Sequence, residues 1–206
     1  MSLKTFVKIS QITNLSDARY CAGMMVDVLG FNLEEGSEGY VSPETFNEIT
    51  NWVAGVKFAG EFTQAQVAEV KLAATNYPLD YIQVQQADQL EELQETGTDL
   101  IYKLVIQSAD DVAGITSQLA FAADLAKMII IQSLDPSLDE AIYAELIKSE
   151  LDIPLIKGYS LSEATAPAVA DDKVFTGIEL EGSPEERPGF KDYGTVMDIL
   201  EVLEEE

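Results

Sequence analysis

The chain has no histidine, one cysteine (Cys21), one tryptophan, and only 12 lysines and arginines against 37 aspartates and glutamates. Each shortage excludes something. Without histidine, the side chain whose unperturbed pKa of ~6.5 suits proton transfer at neutral pH is missing, so acid-base chemistry falls to carboxylates, lysines, tyrosines or Cys21. A lone cysteine excludes an intrachain disulfide and any multi-cysteine metal site; neither a metal nor a cofactor is expected. The formal net charge of −25 repels phosphodiester backbones and anionic lipid, so no nucleic acid and no membrane partner is expected. Solubility alone is an equally good account of that charge.

Long apolar runs are also missing: LAFAA and MIII fall far short of the roughly 20 residues a membrane span needs. The opening MSLKTFVK enters a strand pattern with no basic leader or apolar signal core, so the expected location is cytoplasmic. No G-x-G-x-x-G and no G-x-x-x-x-G-K-S/T follows a strand, which counts against the nucleotide-binding open-sheet folds.

What is present is a regular alternation of short β-branched or apolar runs with segments of helical period. TFVKIS is followed by LSDARYCAGMM, VDVLGF by PETFNEITNWV, VKFAGEF by TQAQVAEVKLAATNY, and LDYIQVQ by ADQLEELQE. DLIYKLVI, KMIIIQ, IPLIKG and KVFTGIE begin the remaining units, with LSEATAPAVA as the helix after IPLIKG, for eight in all. Ser16, Ser42 before Pro43, Thr63, Asp135 before Pro136, and Ser162 stand where helix N-caps belong. Parallel strands need helical crossovers, and eight such units in 206 residues predict one α/β domain over residues 1–206, a single (β/α)8 TIM barrel.

In such a barrel, chemistry sits at the C-terminal ends of the strands. Those positions hold Ser10 and Gln11, Glu61, Gln85 and Gln86, Gln107, Gln132 and Ser133, Gly158 and Tyr159, and Glu179 with Glu181. Amides dominate, and glutamine can hydrogen-bond but cannot ionise. The mouth is built to hold or to fill, with little capacity to transfer protons.

The stretches V-K-I-S-Q-I-T-N-L-S-D-A, S-E-G-Y-V-S-P-E (37–44) and E-L-E-G-S-P-E-E-R-P-G-F-K-D (179–192) resemble phosphoribosylanthranilate isomerase, the tryptophan-pathway (β/α)8 barrel. The family patterns are V-K-I-C-G-I-T-x-x-x-D-A, S-x-R-Y-[VI]-S-P-E and D-V-S-S-G-V-E-x-x-P-G-x-K-D, and order, spacing and length agree along the whole chain. The resemblance implies an Amadori rearrangement: an acid protonates the ribose ring oxygen, the ring opens to an imine, and a base removes the C2′ proton.

The residues that would do this are exchanged. The implied base is a cysteine where this chain has Ser10, and the implied acid an aspartate where it has Gln132. A thiol of pKa ~8.5 can be tuned to a thiolate; a lone hydroxyl cannot, and no histidine is present to activate it. The substrate-contacting arginine is Gly39, the strand-four histidine is Gln85, and one glycine of the strand-seven pair is Tyr159. Glu181 replaces the first serine of the strand-eight motif, where a substrate phosphate about 4 Å away would be repelled by roughly 1 kcal/mol in water and more at lower dielectric. The glycine-rich phosphate loop expected after strand six is absent from S-L-D-P-S-L. Lys8, Asp17, Tyr40, Pro43, Pro188, Gly189 and Asp192 remain, and apart from Lys8 these are mainly scaffold positions.

Lys8, Lys57, Lys103 and Lys157 fall one each on strands one, three, five and seven, and alternate strands of a barrel share a layer of inward side chains. If they converge they need partners, for which Glu61, Glu179 and Glu181 are placed. Two readings stay open: a pocket for a small organic anion, with Gln11, Gln85 and Tyr159 alongside, or lysines that merely snorkel or pair in the lumen. A desolvated lysine forming a Schiff base is a third possibility. Phe46, Ile49 and Trp52 sit at helical spacing and are expected to pack shell against barrel, as is Cys21 as a small buried hydrophobe. The expected function is therefore an isomerase-like barrel inactive in that reaction and retained for small-anion binding or protein interaction. The alternative is an active isomerase on N-(5-phosphoribosyl)anthranilate or a related phosphosugar.

Overall fold

The computed structural model describes residues 2–149, 151–182, 185–187, 190–191 and 194–205, and no side chain from 183 to 193. Pro188, Gly189 and Asp192 lie outside the described residues. Eight parallel strands close into a barrel in chain order: β1 (Phe6–Ser10), β2 (Val28–Asn32), β3 (Lys57–Phe62), β4 (Tyr81–Val84), β5 (Asp99–Ile106), β6 (Met128–Ser133), β7 (Leu155–Lys157) and β8 (Phe175–Glu181). Closure comes from the β1–β8 ladder, which sets Lys8 beside Glu179 and Ser10 beside Glu181. Around the barrel run α1 (Leu15–Gly23), α2 (Pro43–Thr50), α3 (Val67–Asn76), α4 (Leu90–Leu93), α5 (Ala109–Ala122), α6 (Asp139–Lys148), a 3-10 helix (Ala166–Asp171) and α7 (Gly194–Leu203). A short antiparallel pair, β9 (Glu185–Arg187) and β10 (Phe190–Lys191), precedes α7. Among the described residues no helix is long and apolar enough to cross a membrane.

Strand alternation divides the interior into two apolar bodies. Outward residues such as Val7, Ile9, Leu29, Phe31, Ile129 and Ile131 pack under the helices, with Cys21 fully buried among them. Inward residues Val28, Ala59, Tyr81, Ile101, Met128, Ile130 and Ile156, with Phe6 against them, fill the lower lumen. The barrel is thus plugged from below, and only the upper lumen is polar.

Several local expectations change. The helix expected at LSEATAPAVA is a 3-10 helix over Ala166–Asp171, because Pro167 sits within the segment and supplies no amide hydrogen to an α-helical ladder. The α1 cap is Asn14, whose side chain accepts from the Asp17 amide at 3.0 Å, two residues ahead of the expected Ser16. Thr63 does not cap α3; Gln66 does, with Glu69 reaching back to its amide at 2.7 Å. Ser162 accepts from Thr165 N in a turn before the 3-10 helix, which starts from Thr165. Phe46 and Ile49 are buried as expected, but Trp52 is 72% exposed, because α2 ends at Thr50 and leaves the indole beyond the helical face.

Candidate functional site

The polar upper lumen is built on four strands, β1, β3, β5 and β8. On β1 the inward positions are Phe6, Lys8 and Ser10; on β3, Glu61 faces in above Ala59; on β8, Glu179 and Glu181 end the strand. Glu61 and Lys8 lie on strands separated by β2, and they meet because β2 presents Gly30 between them. A Cβ at Gly30 would stand 2.6 Å from Glu61 Cδ and 2.9 Å from Lys8 Nζ, so the missing side chain is the space the ion pair occupies.

Lys8 is fully buried, and its three protons have three acceptors: Ser10 Oγ, Glu61 Oε1, and Glu179 Oε1 at 2.9 Å. Ser10 Oγ is 2.6 Å from Glu61 Oε1 and 2.6 Å from Glu179 Oε1, and its single proton can serve only one of them. Glu61 Oε2 accepts from the Gln11 amide at 3.2 Å. From β5, Lys103 Nζ approaches Glu179 Oε2 at 2.8 Å and Glu181 Oε1 at 2.7 Å. Glu179 is the hub. The network holds two ammonium groups and three carboxylates, a net −1.

Protonation follows from this wiring. Burial alone would push the Glu179 carboxyl up, but Lys8 and Lys103 outweigh it and hold it down to about 2. Burial would likewise lower Lys8, but Glu179 and Glu61 raise it above its ordinary value. Lys103 is raised against burial by Glu179 and Glu181. These three groups are ionised throughout the neutral range.

The structure brings together Lys8, Lys103, Ser10, Glu61, Glu179, Glu181 and Gln11, and separates the rest. Lys57 starts its strand, so it faces the opposite, N-terminal end, where it is exposed and bonds Tyr81 Oη at 3.0 Å. Lys157 follows inward Ile156 and so points out, its Nζ 4.9 Å from the Tyr159 ring and 5.9 Å from that of Phe175. Of the four strand lysines, Lys8 and Lys103 converge, and both are matched by carboxylates. Tyr159 is buried with its ring against Phe175 at 6.0 Å, in the packing between barrel and helices. Gln85 reaches Thr63 Oγ1 at 3.5 Å, and Gln86 bonds Thr63 O at 2.9 Å, so these amides hold the loop after β3.

At the position of the implied acid, Gln132 packs against the residue that follows β7, where a Cβ on Gly158 would be 2.7 Å from its Oε1. Gln132, Ser133, Gly158, Glu179, Glu181 and Thr195 border a hollow of about 250 Å³. At the position of the implied substrate-contacting arginine, Gly39 has φ of 76°, a left-handed conformation suited to glycine. Two features escaped sequence reasoning. One is the Gly30 gap, signalled only by a glycine inside an apolar strand. The other is Gln83, buried on β4 with its Oε1 unbonded among the described residues.

A closed parallel barrel with its polar side chains gathered at the C-terminal strand ends defines the (β/α)8 class. Within it, the chain belongs to the N-(5′-phosphoribosyl)anthranilate (PRA) isomerase family, whose model matches residues 7–202. Phosphoribosylanthranilate isomerase from Thermotoga maritima superposes with a TM-score of 0.75 at 19% identity, covering 97% of this chain and 98% of that one. The Thermus thermophilus enzyme gives 0.73 at 20%, covering 96% and 98%. A 3-hexulose-6-phosphate synthase also superposes, at 0.65 and 14% identity over 97% and 100%; at such identities the likeness establishes the fold alone. No curated protein sequence matches the chain.

Proposed function

We propose that this barrel does not catalyse the Amadori isomerisation of its family and works as a binding or protein-interaction module. One observation carries the reading: Ser10, at the position of the family base, has its hydroxyl enclosed by Lys8, Glu61 and Glu179. General acid-base groups work best with a pKa near the operating pH. A Glu179 carboxyl at about 2 is too weak a base, and ammonium groups raised above their ordinary values are too weak as acids. Gln132 offers an amide where an acid is required.

The same wiring argues against the phosphosugar and small-anion readings of the mouth. Both lysines reaching it are neutralised, and Glu179 and Glu181 border the hollow where a phosphate would have to sit. A Schiff base is disfavoured too, since it needs a neutral amine. The test is consumption of N-(5′-phosphoribosyl)anthranilate, followed by loss of its fluorescence with an active family member in parallel. The reading expects the signal to decay at the rate of the enzyme-free control; turnover at ordinary enzymatic rates would overturn it.

A further inference from the structure

Outside the barrel mouth, a second cavity of about 480 Å³ opens between the loop after β2 and helix α3. Its size falls within the range of small-molecule sites. The wall is apolar and aromatic, from Leu33, Phe62, Ala65, Leu72, Tyr40 and Tyr77, and its charged groups are Glu34, Glu35 and Glu69. Among the described residues no lysine or arginine lines it.

The charged groups are acceptors only, and the side-chain amides of Gln64 and Asn76 complete the polar lining. Tyr77 Oη spends its only proton on Val41 O at 3.0 Å, so in the 3.4 Å contact between the two tyrosine hydroxyls Tyr40 is the donor and keeps its lone pairs free. Glu34 Oε2 is taken by the amides of Thr63 at 2.8 Å and Gln64 at 2.9 Å, which fixes the cavity's edge. Glu69 Oε2 is held by the Gln66 amide at 2.7 Å. Glu35 is exposed and makes no hydrogen bond or ion pair among the described residues. Leu72 is 62% exposed at the rim.

An anion would meet three carboxylates here, and a neutral apolar molecule would leave them unused. An ammonium group carried on an apolar body satisfies both halves, since aromatic faces and carboxylates each attract a cation. We propose that this cavity is a binding site for a small organic ammonium ion with an aromatic or alkyl body. The site is separate from the barrel mouth, so it stands whether or not the mouth is catalytic.

The test uses the full chain and four probes: 2-phenylethylammonium, 2-phenylethanol, phenylacetate and methylammonium. Binding is followed by calorimetry and by methyl NMR shifts at Ala65, Leu72 and Ala73. The ammonium probe should saturate these signals with affinity about tenfold above the alcohol, as expected for one charge-assisted contact. Phenylacetate and methylammonium should leave them unmoved. Glu35→Gln should weaken the ammonium probe several-fold and Leu72→Lys should abolish its binding. Both positions are exposed, so folding, checked by circular dichroism, is expected to persist. Glu91→Gln, an equal charge change on α4, should have no effect. The site is refuted if the four probes act alike, if none shifts these methyls, or if Glu91→Gln matches Glu35→Gln, which would reduce the attraction to the general field of an acidic surface.

Discussion

Replacing Lys8 by methionine removes the central cation of the lumen while nearly preserving volume. Its Nζ serves Ser10, Glu61 and Glu179, and no part of the side chain reaches solvent. Without it, Glu61 Oε1 and Glu179 Oε1 remain, each 2.6 Å from the same hydroxyl, and the cluster passes from a net −1 to −2. Removing one partner of a buried ion pair typically costs ~3–5 kcal/mol, a large part of the ~5–15 kcal/mol that holds a domain together. The double variant Lys8→Met with Glu61→Gln removes one charge of each sign and leaves Lys103 between Glu179 and Glu181. It should be more stable than the single variant by ~2 kcal/mol, a coupling of the size seen for neighbours in one network. Urea unfolding at pH 7 and pH 5 reads both. An orphaned carboxyl has a folded pKa raised above the free value of ~4.3, so the single variant should recover stability as pH falls through that raised value. A loss below ~1 kcal/mol, the scale of a surface pair, or strictly additive effects would refute the network as drawn.

Four further outcomes follow from the same geometry. The depressed Glu179 contributes stability that is present above pH 4.5 and lost as pH falls toward 2, on the order of 3 kcal/mol; acid unfolding should show this loss and Glu179→Gln should flatten it. Lys8 and Lys103 are raised above 10.5, so their contribution is whole below that pH and lost as alkali carries the solution through their folded values. Gly30→Ala should destabilise by ~1–3 kcal/mol, because its Cβ meets the Glu61 carboxyl and Lys8 Nζ; an unchanged melting temperature would contradict the gap. Ser10→Cys with Gln132→Asp should not restore isomerisation, since the thiol would sit against one ammonium, Lys8, and two carboxylates, Glu61 and Glu179, a balance of charge that disfavours a thiolate; measurable turnover in that variant would count against the argument.

Much of this was legible in the sequence where a periodic signal existed. Alternating strand and helix patterns predict the barrel, and the shared parity of Lys8 with Ser10 places the lysine inward. Glu61, Glu179 and Glu181 were identifiable as partners for inward lysines because a buried ammonium requires them; Glu61 and Glu179 take Lys8, and Glu179 and Glu181 take Lys103. Lys57 and Lys157 stay out of the cluster for two different reasons. Height along a strand decides which end of the lumen a residue faces, so Lys57, two positions before Ala59, falls at the N-terminal end. A one-residue offset reverses the face, so Lys157 beside Ile156 turns outward. The contact between Glu61 and Lys8 across Gly30 had no local pattern, because it depends on the stagger of three strands. Trp52 was assigned to the helical face of α2, but that helix ends before reaching it.

The account rests on the ionisation of Glu179, and carboxyl-carbon NMR of labelled protein across pH 1.5 to 9 reads it directly. The prediction is one titration well under the ordinary glutamate range, near 2, with no change in protonation around neutrality. A midpoint at ~6–7, where enzymes tune a working carboxylate, would contradict it and make the barrel mouth a functioning acid-base site.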